Sequence, residues 1–301
     1  MAMIEVNNVT KKFGDFVALD ELNMHVEKGA IYGLVGPNGA GKSTIIRHLC
    51  GVYKQDSGVI TIDGQPVYEN ESLKQRFTVI PDDIFYFTQA NTKDMMKFYK
   101  SMYPRFDEQL FYKIADCFPA INMKKMVRSL SKGMQKQVAF MLSIAARPDI
   151  MILDEPVDGL DPVMRRQIWS LMMSDVAENG LTVLVSSHNL RELEDVCDHV
   201  GIMNNGKILI ERSLDELQTS ITKIQVAFDG DMPKLPDNID VLKKISSGRV
   251  YTLIVKGEPK EAEQAISSLN PLLMDVLPLT LEEIFIYELG GENYAVKDII
   301  F

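Results

Sequence analysis

The stretch Gly36-Pro37-Asn38-Gly39-Ala40-Gly41-Lys42-Ser43-Thr44 fits the pattern G-x-x-x-x-G-K-[ST], and its reading decides the fold. The apolar run Ala30 to Val35 before it reads as a buried strand, and Ser43 to Leu49 after it reads as a helix. The match therefore sits at the strand-to-helix turn that phosphate binding requires. Gly36, Gly39 and Gly41 let the backbone bend until several N–H groups face one anion, and the positive end of the following helix dipole adds to them. In that geometry Lys42 reaches the β- and γ-phosphates of a nucleotide, and the Ser43 hydroxyl becomes a ligand for Mg²⁺.

At 301 residues the chain has material for one large domain and a smaller appendage. Its formal charge of −10 argues against nonspecific binding to nucleic acid, which is carried by clustered Lys and Arg. Cys50, Cys117 and Cys197 are odd in number and lack C-x-x-C spacing, so they read as small buried hydrophobes in a reducing compartment. No apolar run approaches the roughly 18 residues that span a bilayer, and Glu5 interrupts any signal-like start. If a membrane is involved, the expectation is that another chain crosses it.

The chain opens with an alternating strand, Met3 to Val9, and a turn at Phe13-Gly14-Asp15-Phe16 into a second strand, Val17 to Leu22, an antiparallel start. Beyond the phosphate loop, Asp63-Gly64 marks a two-residue hairpin between Gly58–Ile62 and Gln65–Val67. From Ile84 to Ala146 the sequence turns helical and rich in rings, among them Phe85, Tyr86, Phe87, Phe98, Tyr99, Phe111, Tyr112 and Phe118. Most of these rings are expected to fill the core of a helical subdomain, with Phe85 to Phe87 as a candidate surface for a partner helix. Ile150 to Leu153 is an apolar strand ending in Asp154-Glu155-Pro156, and Asp161-Pro162 caps and begins a helix that Gly180 closes. Thr182 to Val185 is a further buried strand, followed by Ser186-Ser187-His188. Leu190, Leu193, Val196 and Cys197 then recur at helical spacing, and Asn205-Gly206 turns a closing hairpin. Alternating helices and apolar strands imply a parallel sheet covered on both faces. From about Ser220 the character changes. Strands around Ile224–Phe228 and Val250–Val255, a helical face of Ala262, Ala265, Ile266 and Leu269, and a capping box at Thr280-Leu281-Glu282-Glu283 describe a small α+β appendage with Leu281, Ile284, Phe285 and Leu289 inward. Its default role is docking or dimerisation. Gly290-Gly291 releases a tail, Glu292 to Phe301, whose apolar end is expected to cover an edge strand.

Four features converge on one chemistry. Lys42 and Ser43 supply the phosphate and metal contacts. Asp154 and Glu155, at a strand exit, supply one carboxylate for the Mg²⁺ shell and one to orient and deprotonate water. His188 is a donor for a γ-phosphate oxygen. In Leu130-Ser131-Lys132-Gly133-Met134-Gln135, the Ser131 hydroxyl and free N–H groups at a helix start make a second anion site.

In the order GPNGAGKS, LSKGM, IMILDEP, GLDP and SSH the chain resembles the ATP-binding-cassette (ABC) ATPases from about Met3 to Leu217. The resemblance implies a phosphate-loop α/β fold with a parallel core sheet, an antiparallel β subdomain and an inserted helical subdomain at about 82–147. It places the cassette at residues 1–218 and the α+β accessory domain at 219–301. It further implies a head-to-tail dimer, each ATP lying between the loop of one copy (Gly36, Asn38, Gly39, Ala40, Gly41, Lys42, Ser43, Thr44) and the Ser131 and Gly133 of a second. On that pattern Phe13 stacks on adenine, Ser43, Asp154 and Asp82 hold Mg²⁺, Glu155 is the general base, His188 reads the γ-phosphate, and Asp161 faces the partner copy. The expected setting is the cytoplasmic face of a membrane, peripheral, beside a separate membrane-spanning subunit and without nucleic acid. Three departures from the family pattern involve four residues: Lys132 and Met134 stand for a glycine and a glutamine of L-S-G-G-Q, Asp82 stands for the usual glutamine, and Phe13 for the commoner tyrosine. The acidic residue after Pro81 and the S-K-G-M signature are similar to ATPase subunits of exporters of antimicrobial or amphipathic peptides. The alternative is a soluble ABC ATPase acting on ribosomes or DNA. Such proteins generally carry two cassettes or a long coiled-coil insertion, whereas this chain has one phosphate loop and no sustained heptads.

Overall fold

A computed structural model describes residues 2–230, 232–236 and 239–289. The anticipated tail, Glu292 to Phe301, lies outside the described residues, as do the side chains of Phe285 and Leu289. Two compact units share the chain. One comprises the residues up to Asn189 together with Val196–Glu211, and the other comprises Leu190–Asp195 and the chain from Arg212 onward.

The first unit begins with β1 (Ala2–Phe13) and β2 (Phe16–Glu27), joined antiparallel through the Gly14-Asp15 turn, so that Phe13 faces Phe16. Then come β3 (Ile31–Val35), the phosphate loop and α1 (Lys42–Leu49), the hairpin of β4 (Ser57–Ile62) and β5 (Gln65–Pro66), the short α2 (Glu71–Lys74) and β6 (Phe77–Ile80). The order β2-β1-β4-β5 makes one sheet. The helical insertion holds α3 (Thr92–Met102), α4 (Glu108–Asp116) and α5 (Lys132–Ala145). Next follow β7 (Ile150–Asp154), α6 (Pro162–Asn179), β8 (Thr182–Ser187), β9 (His199–Asn204) and β10 (Lys207–Ser213).

The second sheet has the order β10-β9-β3-β8-β7-β6. Its β3, β7 and β8 are buried at every position, as a strand covered on both faces must be, with apolar runs that give way to Asp154 at the end of β7 and to Ser186 and Ser187 at the end of β8. Pairing is parallel from β9 through β3, β8 and β7 to β6. The register sets Val35 beside Ser187 and Asp154 beside Ser186, which brings the carboxyl ends of β3, β8 and β7 level. Each fully buried Val, Leu or Ile there contributes about 1.5–3 kcal/mol of transfer free energy.

The aromatic insertion departs from the core expectation. Tyr86, Phe111 and Phe118 are buried, but Phe85 is 73% exposed, and Phe87, Phe98 and Tyr112 also face outward. Phe85 and Phe87 lie in the irregular segment before α3 and are exposed, as the expectation of a surface there has it, whereas Tyr86 between them is buried. Cys117, at the C-cap of α4, is exposed rather than buried.

In the second unit, α7 (Leu214–Ser220) leads into an antiparallel sheet of β11 (Ile221–Ala227), β12 (Asp240–Ser247), β13 (Val250–Lys256) and β14 (Leu273–Leu277), ordered β12-β13-β11-β14. The helix α8 (Pro259–Ser267) buries Ala262 and Ile266 among Ile224, Val226, Leu253 and Val255. At the start of α9 (Leu281–Leu289) the capping box forms as expected: the Glu283 N–H donates to Thr280 Oγ1 (3.2 Å) and the Thr280 N–H to Glu283 Oε2 (3.1 Å). The expected helix over Leu190 to Cys197 is a single 3-10 turn, Leu190–Glu192, followed by further turns. A three-residue repeat satisfies the burial of Leu190, Leu193 and Val196 as well as an α-helix does. Arg191 donates to Glu282 Oε2 at 3.0 and 2.8 Å, and Glu194 accepts from the Leu281 N–H at 3.0 Å, so this turn is bound to the start of α9.

Gly36 closes the junction of β3 and the loop: a Cβ there would lie 2.2 Å from the Met203 carbonyl oxygen at the end of β9. Gly36→Ala is therefore expected to lower stability by about 1–3 kcal/mol through forced separation of β3 from β9, measured as the urea midpoint.

Candidate functional site

The level strand ends open onto a cavity of about 300 Å³. The phosphate loop forms one wall with Asn38, Gly39, Gly41, Lys42, Ser43 and Thr44, and Asp82, Asp154 and Glu155 form another. Gly39 (φ +85°) and Gly41 (φ +112°) take the left-handed backbone that the turn demands. Gly41 is the N-cap of α1, no side chain caps that helix, and its first turn carries no acidic residue. Its N–H groups and dipole are thus directed at whatever anion enters. Ala40 anchors the loop from behind, its carbonyl accepting from the Gly206 N–H at 2.8 Å.

Lys42 is buried over this loop, its Nζ donating to the carbonyls of Gly36 (2.6 Å) and Pro37 (3.3 Å) and lying 3.7 Å from Glu155 Oε1. Burial pushes its pKa down, while the charges of Glu155 and Asp154 pull it back up. A lysine so placed carries its charge on a short tether above the loop.

At the end of β7, the buried Asp154 accepts a hydrogen bond from Ser186 Oγ on β8. Glu155 has a left-handed backbone, φ +47°, and its N–H donates to the Ser186 carbonyl at 3.2 Å. Its Oε2 lies 2.9 Å from His188 Nδ1. His188, half exposed just beyond β8, thus joins the site through Glu155. Asp82 lies beyond the end of β6, between the parallel sheet and the helical insertion.

Ser43, Asp82 and Asp154 put hard oxygen donors into one cavity, the ligand type that Mg²⁺ selects. Among the described residues no group of three or more His, Cys, Asp or Glu forms a metal cage.

Phe13, Ser131, Gly133 and Asp161 lie away from this cavity's lining. Phe13 is 44% exposed and meets the Tyr53 ring edge-on at 5.4 Å. Ser131 is the N-cap of α5, accepting from the Met134 N–H at 3.3 Å, and Gly133 lies against Leu160. Asp161 caps α6 through the Val163 and Met164 N–H groups, both at 3.0 Å. The sequence reading passed over Phe16 and Ala18, which line the cavity from β2. The Gly14-Asp15 turn held the signal, because it sets a second aromatic directly across from Phe13.

A family model described as "ABC transporter" matches residues 19–158, and one described as "AAA domain, putative AbiEii toxin, Type IV TA system" matches 125–194. The ABC transporter ATP-binding protein YtrB of Bacillus subtilis (strain 168) is 33% identical over 293 residues, covering 97% of this chain and 99% of that protein. The lantibiotic transport ATP-binding protein SrtF of Streptococcus pyogenes is 32% identical over 220 residues, 71% of this chain and 92% of that protein. Among solved structures, an ATP-binding subunit of an ABC transporter superposes with a TM-score of 0.67 at 26% identity, over 72% of this chain and 92% of its own. With its phosphate-loop α/β architecture and a relative matched along nearly its full length, the chain belongs to the ABC transporter ATP-binding proteins.

Proposed function

We propose that this chain is the ATP-hydrolysing subunit that drives a membrane transporter by ATP-dependent closing and opening of a head-to-tail dimer, and that the transporter exports antimicrobial or amphipathic peptides. The observation that carries the hydrolytic part is the position of Glu155. Its carboxylate lies between Lys42 Nζ (3.7 Å) and His188 Nδ1 (2.9 Å), in the cavity that the phosphate loop also lines.

The loop N–H groups and Lys42 bind the β- and γ-phosphates, and Phe13 supports the adenine. Glu155 takes the proton of the attacking water, while His188 orients Glu155 and offers a donor to the γ-phosphate. Ser43, Asp154 and Asp82 would hold Mg²⁺, which when bound would neutralise charge on the phosphate oxygens. Ser131 and Gly133, at an exposed helix start outside this cavity, are assigned to the nucleotide of a second copy, with Asp161 facing that copy, as the family resemblance implies. Binding of ATP then closes the dimer and hydrolysis releases it.

No helix among the described residues is long and apolar enough to cross a membrane. The proposal gives the membrane-spanning part to a separate subunit and this chain to the cytoplasmic face, a reading supported by the likeness to transporter ATP-binding proteins. The surface for that subunit is the ring cluster of the helical insertion, where Phe85, Phe87 and Phe98 meet edge-on at 6.3 and 5.0 Å and remain exposed beside Met102. Residues 219–301 serve docking or self-association. The peptide cargo is supported by the likeness to SrtF, whose name states lantibiotic transport.

Glu155→Gln is expected to keep ATP binding, lose about 100-fold or more in steady-state phosphate release, and accumulate a closed dimer in sedimentation with ATP. Normal turnover in that variant removes Glu155 as the base. Calorimetry with ATP and Mg²⁺ should register no tight binding by Lys42→Ala. Cells producing the chain with its membrane subunit should tolerate a cationic antimicrobial peptide better than cells producing Glu155→Gln. Equal tolerance rejects the peptide cargo.

A further inference from the structure

Lys136 stands one turn into α5, five residues after the N-cap Ser131, yet its ammonium serves another element. Nζ donates to the carbonyl oxygens of Glu155 and Asp158, both at 2.9 Å, and lies 4.0 Å from Asp82 Oδ1. The side chain is only 10% exposed. A buried ammonium is costly unless its donors are engaged, and here two carbonyls and a facing carboxylate engage it.

The turn it holds carries the strained residue of the site. Glu155 is a non-glycine residue at φ +47°, a conformation that persists only where the surroundings over-determine it. Its N–H side is fixed by Ser186 of β8, through the carbonyl at 3.2 Å and Oγ at 3.3 Å. Its carbonyl side is fixed by Lys136. With both peptide planes held, the direction of the Glu155 side chain follows, and with it the 2.9 Å contact to His188.

We propose that Lys136 is a positioning residue for hydrolysis: it holds the Glu155–Asp158 turn so that the Glu155 carboxylate faces the γ-phosphate side of the cavity, and it ties that turn to Asp82 and to the helix that begins at Ser131. This rests on the reading of Glu155 as the general base. Lys136 does not itself line the cavity and reaches the wall from behind, through the Glu155 carbonyl and the Asp82 carboxylate, so its effect is expected on turnover and not on nucleotide affinity.

The test is a series at this position, Lys136→Met, Lys136→Gln and Lys136→Arg, with Glu155→Gln in parallel, measuring kcat, KM for ATP, and ATP affinity by calorimetry. Loss of all three donors in Lys136→Met is expected to cut kcat about ten- to a hundred-fold while KM and affinity stay within about two-fold, the scale that a small misplacement of a catalytic group produces. Lys136→Arg, with a fork able to span two carbonyls, is expected to recover most of kcat, and Lys136→Gln to fall between. Should Lys136→Met melt at the assay temperature, the Arg and Gln variants carry the comparison. The proposal is overturned if kcat is unchanged through the series, if affinity falls in step with kcat, or if Arg and Gln recover nothing relative to Met. Turnover persisting in Glu155→Gln instead overturns the reading of Glu155, whatever the Lys136 series gives.

Discussion

Parallel registration of β3, β8 and β7 is the constraint on which the site depends. With Val35 beside Ser187 and Asp154 beside Ser186, three loops leave the sheet at one height. A one-residue slip of β7 would turn Asp154 to the opposite face and carry Glu155 away from Lys42. Burial on both faces of these strands resists such a slip, because every residue moved would exchange one packed environment for another. The chemistry of the cavity is thus inherited from the packing of Val, Leu and Ile side chains some distance below it.

Polar cross-links then refine what registration sets only coarsely. Ser186 bonds both Asp154 and the Glu155 backbone, so one hydroxyl on β8 serves the last residue of β7 and the one just beyond it. The Gly206 N–H reaches Ala40 and steadies the phosphate loop from the β9–β10 turn. The Lys42 ammonium is held by loop carbonyls, and its nearest carboxylate is that of Glu155. The same lysine therefore senses both the loop and the carboxylate opposite.

What was legible in the sequence had a local signature. The phosphate loop, the carboxylate pair after Leu153, the Asp63-Gly64 and Asn205-Gly206 hairpins and the Thr280 capping box each declare themselves within a few residues. Other parts had no such mark. The strand β12, whose sequence DVLKKISS lies exposed along most of its length, shows no alternation because neither face is well buried. The outward rings at Phe85, Phe87 and Phe98 are written with the same letters as core rings. The contacts of Lys136 are invisible for a different reason: backbone carbonyls accept its hydrogen bonds, and an acceptor that every residue possesses leaves no trace in composition.

The turn at Leu190–Asp195 gives the chain an unusual itinerary. After His188 it enters the second unit for six residues, returns to the first through Val196–Glu211, and leaves again at Arg212. Leu190 and Leu193 are buried, and Arg191 and Glu194 are bonded to Glu282 and Leu281 of the second unit. No single cut of the polypeptide separates the two units. A fragment ending near residue 218 would keep Leu190–Asp195 while discarding the start of α9 that binds it. The segment directly downstream of His188 would then lose its bonds to Glu282 and to the Leu281 N–H. Recombination or gene fusion that exchanged only the C-terminal part would meet the same obstacle, so the accessory unit and the strand-to-turn segment behind His188 form one heritable module written in two pieces.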